Sequence, residues 1–409
     1  MSAELKAVST PLLDGHQDDN AFEGYRWSYF SSLQEGSPLQ QRAQSFLDSV
    51  NWDRLLTYAA SLRNHPSCIL LPEIGLGYNH MVRIVEFPDK VRWLARLRLS
   101  SVSPSANISE HSQMECEYYT IRLVQEASEI PVPRIHDFMN CSVSQIGADL
   151  MLMDCLRGNA GIDLNMDIPL HHKGSVLSRM AEIHSEISRI LLPQIGTISG
   201  INDDGTYRQG PIPGLGGPFD TAADFYKAWA SKVEFGLSAD QLKEATGQFA
   251  DEISVAIIDF KKMLYEKSAS LSIRNEGPFP LCHGDFGHNN MIFSDNYHIL
   301  GVIDWEGAFA APWEISGEFP LTLSIVPPAM DVPWNYDAHG LPKDPQSRQK
   351  LADREEYIAL VEEKEREAVL PRGHKLSSAL RDSDRQYLAT AMSLFQIGKP
   401  GWYSKVLGS

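Results

Sequence analysis

The stretch from Leu281 to Glu306 constrains the fold more than any other part of this 409-residue chain. It reads LCHGDFGHNNMIF, then SDNY, then HILGVIDWE. Two short apolar runs, at 291–293 and 299–303, flank the SDNY segment, and Asp and Asn suit a turn because their side chains bond nearby backbone and tolerate left-handed geometry. We therefore predict a β-hairpin that carries Asp304 back beside Asp285 and Asn290.

The residues that this hairpin brings together have the chemistry of a metal and phosphate site. Carboxylate and amide oxygens from two loops suit a hard cation such as Mg²⁺, held together with phosphate oxygens. A lone His-Gly-Asp tripeptide often does no more than bond a turn, but H-x-D-x-x-x-x-N followed by a hairpin and Ile-Asp-Trp-Glu is far more specific. The pattern favours phosphoryl-transfer machinery. His288 lies in the loop but outside the pattern, which favours a solvated or backbone-bonded histidine over a metal ligand.

Composition and charge exclude several classes of protein. The net charge of −17 disfavours nucleic acid and anionic membranes as partners. The sequence shows no signal-peptide pattern and no apolar run of about 18 residues. Its five cysteines are odd in number and lack C-x-x-C spacing, which indicates a reducing compartment rather than disulfides or a zinc site. We expect a cytoplasmic protein, with Cys282 a small buried strand residue rather than a nucleophile.

Hydrophobic periodicity predicts the order of the elements. A chain of this length with 43% hydrophobic residues can form two lobes. Residues 1–40 are polar and are predicted to extend over the surface. The predicted helices are 41–64 (in two parts, the second capped by Asn51), 113–129, 172–191, 221–237, 241–268 and a solvated, charged helix at 348–367. The predicted strands are 68–74, 80–87 and 91–99, followed by a further strand pair. The apolar run 150–154 is predicted to enter a connector between the lobes, and 202–218 is predicted to be a Gly- and Pro-rich loop.

The first half of the chain carries features of a nucleotide clamp. The segment EIGLGYN, residues 73–79, places two glycines between two predicted strands, so backbone amides could approach phosphates, although Gly-x-Gly is also an ordinary hairpin turn. On the third strand, Leu94 and Arg96 share one face, and a plainly solvated face is the competing interpretation. On the following helix, Glu117 lies within an apolar stripe and requires a cation, for which Arg96 is the natural candidate.

In the order of these motifs, the chain resembles the aminoglycoside phosphotransferase family, also called the phosphotransferase enzyme family, in the branch common in fungi. The resemblance covers roughly residues 50–320 and adds the segments IPVP and MLMD to those above. It implies an α+β, bilobal, protein-kinase-like fold with a small antiparallel-sheet N-lobe and a larger, mainly helical C-lobe. The implied organisation is an N-terminal extension at 1–45, an N-lobe at 46–155 and a C-lobe at 156–409.

The resemblance also assigns roles to individual residues. Asp285 would be the catalytic aspartate that orients the acceptor hydroxyl, His283 would brace the loop, and Asn290 and Asp304 would hold Mg²⁺. Arg96 would contact the α- and β-phosphates of ATP and be fixed by Glu117. The remaining nucleotide-binding residues implied are Gly75, Gly77, Asn79, Met153, Asp154 and Cys155.

The function expected from the sequence is ATP-dependent phosphorylation of a hydroxyl group on a small molecule. The alternative is a catalytically silent, nucleotide-binding scaffold or regulator. Phosphorylation of proteins is disfavoured because the sequence lacks the His-Arg-Asp motif of protein kinases. Metal-assisted hydrolysis would leave Arg96, Glu117 and the glycine-rich segment unexplained. The acceptor, the choice between ATP and GTP, the oligomeric state and the roles of the N-terminal extension and of residues 321–409 stay open at this stage.

Overall fold

The computed structural model describes residues 30–99, 110–164, 168–367 and 375–408 of the chain. Most of residues 1–40, predicted to extend over the surface, therefore lies outside the described part. The helices of the described part are α1 Pro38–Ser49, α2 Trp52–Leu62, α3 Glu110–Ala127, α4 Cys141–Ser144, α5 Leu170–Ile187, α6 Ala222–Lys232, α7 Ala239–Thr246, α8 Ala250–Leu271, α9 Trp313–Ser316, α10 Pro345–Glu367, α11 Leu376–Arg381, α12 Ser383–Gln396 and α13 Ser404–Leu407. None of them is both long and apolar enough to cross a membrane.

The strands of the described part fall into several small sheets. They are β1 Ile69–Leu76, β2 His80–Glu86, β3 Arg92–Arg98, β4 Ile135–Met139, β5 Leu150–Asp154, β6 Asn159–Ala160, β7 Leu191–Leu192, β8 Thr197–Ile201, β9 Tyr207–Gly210, β10 Phe279–Cys282, β11 Met291–Phe293, β12 Ile299–Val302 and β13 Phe309–Ala310. The largest sheet has the order β1-β2-β3-β5-β4, and each of its pairings is antiparallel.

Side chains alternate along a strand, so one face of this five-stranded sheet packs against a hydrophobic core and the other lines a cavity. On β3, Trp93, Ala95 and Leu97 face a core that also contains residues of α1 and α2. The intervening side chains Leu94 and Arg96 face the opposite way, into a cavity. The predicted face carrying Leu94 and Arg96 is therefore directed at a site and not at bulk solvent.

The rest of the chain is mainly helical and encloses a second, larger core. Helices α6 and α8 pack against each other, as do α5 and α10, and the small sheet β12-β11-β6 lies at the edge of this core. The β11–β12 hairpin pairs Met291 with Val302. The predicted hairpin therefore forms, and it carries the residues that follow β12 back toward those that precede β11.

Four predicted elements differ from the structure. The helix predicted at 172–191 ends at Ile187, and β7 follows it. The predicted loop at 202–218 contains β9, which pairs with β8. The helix predicted at 241–268 is two helices, because the chain turns at Gly247, whose φ of +55° is open to glycine at little cost. Helix α10 is not simply solvated, since Tyr357 and Val361 are fully buried on its inner face.

Candidate active site

A close backbone contact shapes the loop that follows β10. Gly284 has φ +82°, and a Cβ at this position would lie 2.3 Å from the carbonyl oxygen of Gly307. Any larger residue would therefore collide with the segment after β12. The loop continues into a short 3-10 turn at His288–Asn290, which leads directly into β11. This packing fixes the position of Asp285, whose side chain is exposed at the loop.

His283 connects this loop to the residue before Asp304. Its Nε2 lies 3.0 Å from the carbonyl oxygen of Ile303, so this nitrogen carries the proton and donates it. Burial lowers the pKa of His283, which keeps the ring neutral. Its Nδ1 is buried, and in the described part of the chain it has no hydrogen-bond partner. The observed geometry is that of a brace between the two loops.

Asp285 and Asn290 are joined directly across the loop. The Asn290 Nδ2 donates to Asp285 Oδ2 at 2.7 Å and to the Asp285 carbonyl oxygen at 2.9 Å. Asn289 Nδ2 also donates to Asp285 Oδ2, at 3.0 Å. Because its nitrogen is engaged in this way, the amide oxygen of Asn290 is the atom that it can offer to a metal ion.

Asp304 follows β12 in a left-handed conformation, with φ 66° and ψ 56°. Aspartate tolerates this region better than most residues because its short polar side chain can bond locally. The Nη2 of Arg96 donates to Asp304 Oδ1 at 2.7 Å. The backbone N–H of Ile303, the residue before Asp304, donates to the Asn290 carbonyl oxygen at 2.9 Å, so the hairpin returns to the Asn290 loop as predicted, whereas the contact with Arg96 was not predicted.

Arg96 and Glu117 form a buried ion pair. The guanidinium Nη1 lies 2.9 Å from Glu117 Oε1, and the backbone N–H of Trp305 donates to the same oxygen at 3.2 Å. Burial raises the pKa of Glu117, and the adjacent guanidinium opposes that shift. The carboxylates of Glu117 and Asp304 raise the pKa of Arg96, which stays protonated. The pair predicted from the helical stripe is therefore formed.

One cavity, of about 400 Å³, brings together ten of the predicted site residues. Its apolar part includes Val82, Leu94, Ile121, Ile292 and Ile303. The predicted residues that line it are Gly75, Gly77, Asn79, Arg96, Glu117, Met153, Asp154, Cys155, Asn290 and Asp304. We call it the upper cavity. An apolar slot that ends in an arginine and two oxygen ligands has the character of a site for a nucleotide and its phosphates.

A second cavity, of about 470 Å³, contains the other two predicted residues, His283 and Asp285. We call it the lower cavity. It lies among α6, α12 and the segment after β13, and both apolar and polar side chains line it. Because Asp285 lines the lower cavity and its partner Asn290 lines the upper one, the 2.7 Å bond between them marks the junction of the two cavities.

Comparison with protein families shows which family the chain belongs to. Residues 71–314, more than half of the chain, match the model of the phosphotransferase enzyme family. The chain belongs to this family. The matched region contains all twelve predicted site residues. A comparison with curated proteins found none that matches the chain.

Two solved structures of phosphotransferases are similar to this chain at low sequence identity. A candidate aminoglycoside phosphotransferase from Ralstonia eutropha JMP134 is 14% identical, with a TM-score of 0.52 over 88% of this chain and 98% of that chain. A thermostable mutant of the aminoglycoside phosphotransferase APH(4)-Ia is 18% identical, with a TM-score of 0.42 over 82% and 89%. The first likeness and the sheet and helices described above confirm the predicted bilobal, protein-kinase-like α+β fold.

Three residues of this site were not predicted from the sequence: Glu306, Arg98 and His80. Glu306, which ends the Ile-Asp-Trp-Glu motif, accepts from Arg98 Nη1 at 2.7 Å and from Asn79 Nδ2 at 2.8 Å. His80 accepts from Arg96 Nη2 through Nδ1 at 3.0 Å. Burial and the two arginines lower the pKa of His80, so it is neutral. The four-residue Ile-Asp-Trp-Glu motif was the available signal for Glu306, but its partners are distant in sequence.

The oxygen donors around the upper cavity fit Mg²⁺. Asp304 offers a half-exposed carboxylate, and Asn290 offers its amide oxygen, both of which are hard ligands. His80, Asp304 and Glu306 also place possible ligand atoms within 4.8 Å of one another. Arg96 and Arg98 already contact that group, however, and their positive charges oppose a divalent ion there. Asn290 and Asp304 together supply two oxygen ligands of the kind that Mg²⁺ prefers.

Two further residues of the matched region have structural explanations. His288 is buried, and its Nδ1 lies 2.6 Å from the hydroxyl of Thr322, so it is neither solvated nor placed as a metal ligand. Cys282 ends β10, as predicted, and burial raises its pKa. A thiol of this kind remains protonated and is a poor nucleophile.

Proposed function

We propose that the protein is an ATP-dependent phosphotransferase that moves the γ-phosphoryl group to a hydroxyl of a small molecule, with the assistance of Mg²⁺. The observation that carries the proposal is the junction of the two cavities. Asp285 lines the lower cavity, and its hydrogen-bond partner Asn290 lines the upper cavity beside Asp304. A nucleotide above and an alcohol below would meet at this junction, in the arrangement that in-line transfer needs.

In the upper cavity, each predicted residue has a task that its surroundings support. The backbone of Gly75 and Gly77 would approach the phosphates, with Asn79 at the end of that loop. Arg96, held by Glu117, would contact the α- and β-phosphates through its guanidinium. The Met153–Cys155 connector would bond adenine through backbone groups, which leaves its side chains free to vary. The aliphatic walls would enclose the base.

The metal would be held by Asp304 and by the amide oxygen of Asn290. Bound there, Mg²⁺ would neutralise charge on the phosphate oxygens. Arg96 contacts Asp304 Oδ1, and this contact supports a position for the phosphates beside both residues. Arg96 and a bound Mg²⁺ would together supply the positive charge that stabilises a loose transition state.

On the acceptor side, Asp285 would orient the hydroxyl group and can accept its proton. Asn289 and Asn290 both donate to Oδ2, which fixes the carboxylate and leaves Oδ1 for the acceptor. His283 would act only as a brace, because its Nε2 proton is committed to Ile303. Catalysis would then consist of positioning and charge neutralisation, without a covalent intermediate.

The organisation of the chain belongs to the same proposal. We place the division between N-lobe and C-lobe near residue 155, after β5, and an N-terminal extension before residue 46. Membership of the fungal branch of the family and a cytoplasmic location are proposed on the motifs and on cysteine usage. The net charge of −17 supports small molecules, rather than nucleic acids or membranes, as partners.

A phosphate-transfer screen tests the proposal. The wild-type protein, with ATP and Mg²⁺, is assayed against a library of hydroxyl compounds, and phosphorylated products are detected by mass spectrometry. In Asp285→Ala we expect transfer to fall by about 10²- to 10⁴-fold, while calorimetry shows that ATP still binds. Asp295→Ala, an exposed aspartate in the hairpin turn, is the matched control and should keep full activity.

Full activity in Asp285→Ala would contradict the role given to this residue. Binding of ATP and Mg²⁺ without transfer to any compound would instead support the silent nucleotide-binding scaffold. Loss of transfer in the Asp295→Ala control would show that general damage to the hairpin, and not the missing carboxylate, explains the result.

A further inference from the structure

Asn289 lies directly before Asn290 in the 3-10 turn at His288–Asn290 and outside the H-x-D-x-x-x-x-N pattern. It lines the upper cavity, and its Nδ2 lies 3.0 Å from Asp285 Oδ2. A 3-10 turn has three residues per turn, so the side chains of Asn289 and Asn290 leave the backbone about 120° apart. Both nevertheless reach the same carboxylate oxygen. Two donors that come from different directions fix the orientation of a carboxylate as well as its position.

The oxygen of the Asn289 amide shows which contact the side chain serves. This Oδ1 is buried, and among the described residues it has no hydrogen-bond partner. It lies against Gly287, where an added Cβ would collide with it. A buried acceptor without a partner is destabilising. Rotating the amide by half a turn would instead bring Oδ1 against Asp285 Oδ2, and both of these atoms are acceptors. The contact with Asp285 therefore decides how this amide is oriented.

The turn that carries Asn289 is itself held in place. The backbone N–H of Asn290 donates to the Gly287 carbonyl oxygen at 3.1 Å, which closes the turn. The backbone N–H of His288 donates to Thr322 Oγ1 at 3.2 Å, and His288 Nδ1 lies 2.6 Å from the same oxygen. A side chain can position a second group only when its own position is fixed. These contacts supply that support for Asn289.

We infer that Asn289 is a positioning residue that holds Asp285 in place for the acceptor hydroxyl independently of the metal. The inference rests on the proposed function, in which Asp285 orients that hydroxyl. Asn290 has two tasks there, because its amide oxygen would bind Mg²⁺ while its nitrogen holds Asp285. The Oδ1 of Asn289 is buried against Gly287 and is not offered to a metal in the cavity. Asn289 therefore keeps Asp285 in one orientation whether or not Mg²⁺ is bound.

Steady-state kinetics of two variants test the inference, with an acceptor identified in the phosphate-transfer screen. Asn289→Ala removes the amide, and Asn289→Asp keeps its size but replaces the donor by a carboxylate. We expect kcat to fall by about 10- to 100-fold in both variants, because a misplaced catalytic group loses much of its effect. The KM for ATP and the Mg²⁺ concentration that gives half-maximal activity should change by less than about twofold.

Two further variants serve as references. Asn290→Ala should lower kcat and also raise the Mg²⁺ concentration that is required, since it removes a proposed metal ligand. Asn296→Ala, which changes an exposed asparagine of the hairpin turn, is the matched control and should keep full activity. A rise in the Mg²⁺ requirement of Asn289→Ala like that of Asn290→Ala would overturn the inference, because Asn289 would then act through the metal.

A double-mutant cycle separates positioning of Asp285 from a general structural role. If Asn289 acts through Asp285, Asn289→Ala should lower transfer no further once Asp285→Ala is present. If Asn289 only supports the loop, its loss should lower the residual transfer by the same factor as in the wild-type background, and the inference is overturned. A kcat near that of wild type in Asn289→Asp also overturns it, because this variant keeps the shape of the side chain but not the donor.

Crystal structures of the wild-type protein and of Asn289→Ala provide a measurement that needs no turnover. We expect the Asp285 carboxylate to keep one orientation in the wild-type protein, with and without Mg²⁺ and an ATP analogue, and to reorient in the variant. An unchanged Asp285 in the variant overturns the inference. Should Asn289→Ala fail to fold, Asn289→Asp decides by the same measurements. Reorientation of Asp285 in the variant, with no transfer by the wild-type protein to any compound, would uphold the positioning role and contradict the proposed function, so the two failures are distinguishable.

Discussion

Two glutamates near the lower cavity show how the partners of a carboxylate decide its use. Glu314 is fully buried, and it accepts from the Ile273 N–H at 2.7 Å and from the Ser272 hydroxyl at 3.0 Å. Tyr226 donates to it at 3.3 Å, and Arg385 lies 3.6 Å away. Glu314 is therefore fully satisfied and pins α9 to the end of α8. Glu318, four residues later, forms no ion pair with the described residues; burial raises its pKa, and Thr390 and Arg354 oppose that shift.

The raised pKa of Glu318 gives a prediction about stability and pH. In the unfolded chain this carboxyl has its ordinary pKa of 4.5, and in the folded protein the pKa is about 7. Between these values the folded state holds a proton that the unfolded state releases, so this group makes the folded protein less stable as pH rises through the window. Glu318→Gln lacks this effect. We expect the variant to gain stability relative to wild type between pH 4.5 and 7, on the order of 2 kcal/mol.

Urea unfolding of both proteins at pH 5 and at pH 7.5 checks the prediction. The groups that face Glu318 are Arg354 on α10 and Thr390 on α12, with Cys282 below, and none of their ordinary titrations falls in this window. A difference in stability between the two proteins that does not change with pH would contradict it. Glu266→Gln, which changes an exposed glutamate of α8, is the control and should follow wild type at both values.

At the scale of the elements, the β11–β12 hairpin and the inward-facing side of α3 could be predicted from local sequence. The Ser-Asp-Asn-Tyr turn and its flanking apolar runs specify the β11–β12 hairpin from adjacent residues, and the apolar stripe of α3 indicates that Glu117 faces inward. The break at Gly247 was not predicted, because a single glycine inside a helical pattern costs only about 1 kcal/mol relative to alanine. The buried face of α10 was missed because its apolar residues are few among dense charges.

Contacts between distant elements were harder to predict. Arg98 and Glu306 are 208 residues apart, as are Arg96 and Asp304. The strand pattern places Arg92, Arg96 and Arg98 on one face but does not specify their partners. In the structure Arg92 pairs with Glu86 on the neighbouring strand, whereas the other two reach the loop after β12. Only the folded arrangement of the sheet over that loop decides between these partners.

The contacts of Glu306 give a prediction about the glycine-rich loop between β1 and β2. Glu306 holds Asn79 at the end of that loop and Arg98 on β3. In Glu306→Gln the charge that draws both donors is lost, and the loop should be less well placed over the phosphates. We expect the KM for ATP to rise by about three- to tenfold, with kcat changed less than about threefold.

Steady-state kinetics with ATP as the varied substrate check this prediction. Glu276→Gln, an exposed glutamate before β10, is the matched control and should leave both constants unchanged. An effect of Glu306→Gln on kcat alone would contradict a positioning role and would point to direct participation in transfer. Thermal unfolding of the variant separates loss of loop order from loss of fold.

At the scale of the whole molecule, the segment after β12 links the five-stranded sheet to the helical part. Asp304, the Trp305 N–H and Glu306 contact Arg96, Glu117 and Arg98 respectively. The upper cavity lies between these two parts of the chain. A ligand bound there would contact both parts at once, so its binding free energy would add to the free energy that holds them together.

This arrangement predicts that ATP and Mg²⁺ stabilise the folded protein and that Asp304 mediates the share due to the metal. A ligand at about 100 times its Kd stabilises the state that it binds by about 2.7 kcal/mol. We expect the midpoint of thermal unfolding to rise with ATP and Mg²⁺ and to fall back when EDTA removes the metal. In Asp304→Ala the rise caused by Mg²⁺ should be lost, because half of the proposed ligand pair is gone. Asp295→Ala should respond like wild type, and an undiminished response to Mg²⁺ in Asp304→Ala would place the metal elsewhere.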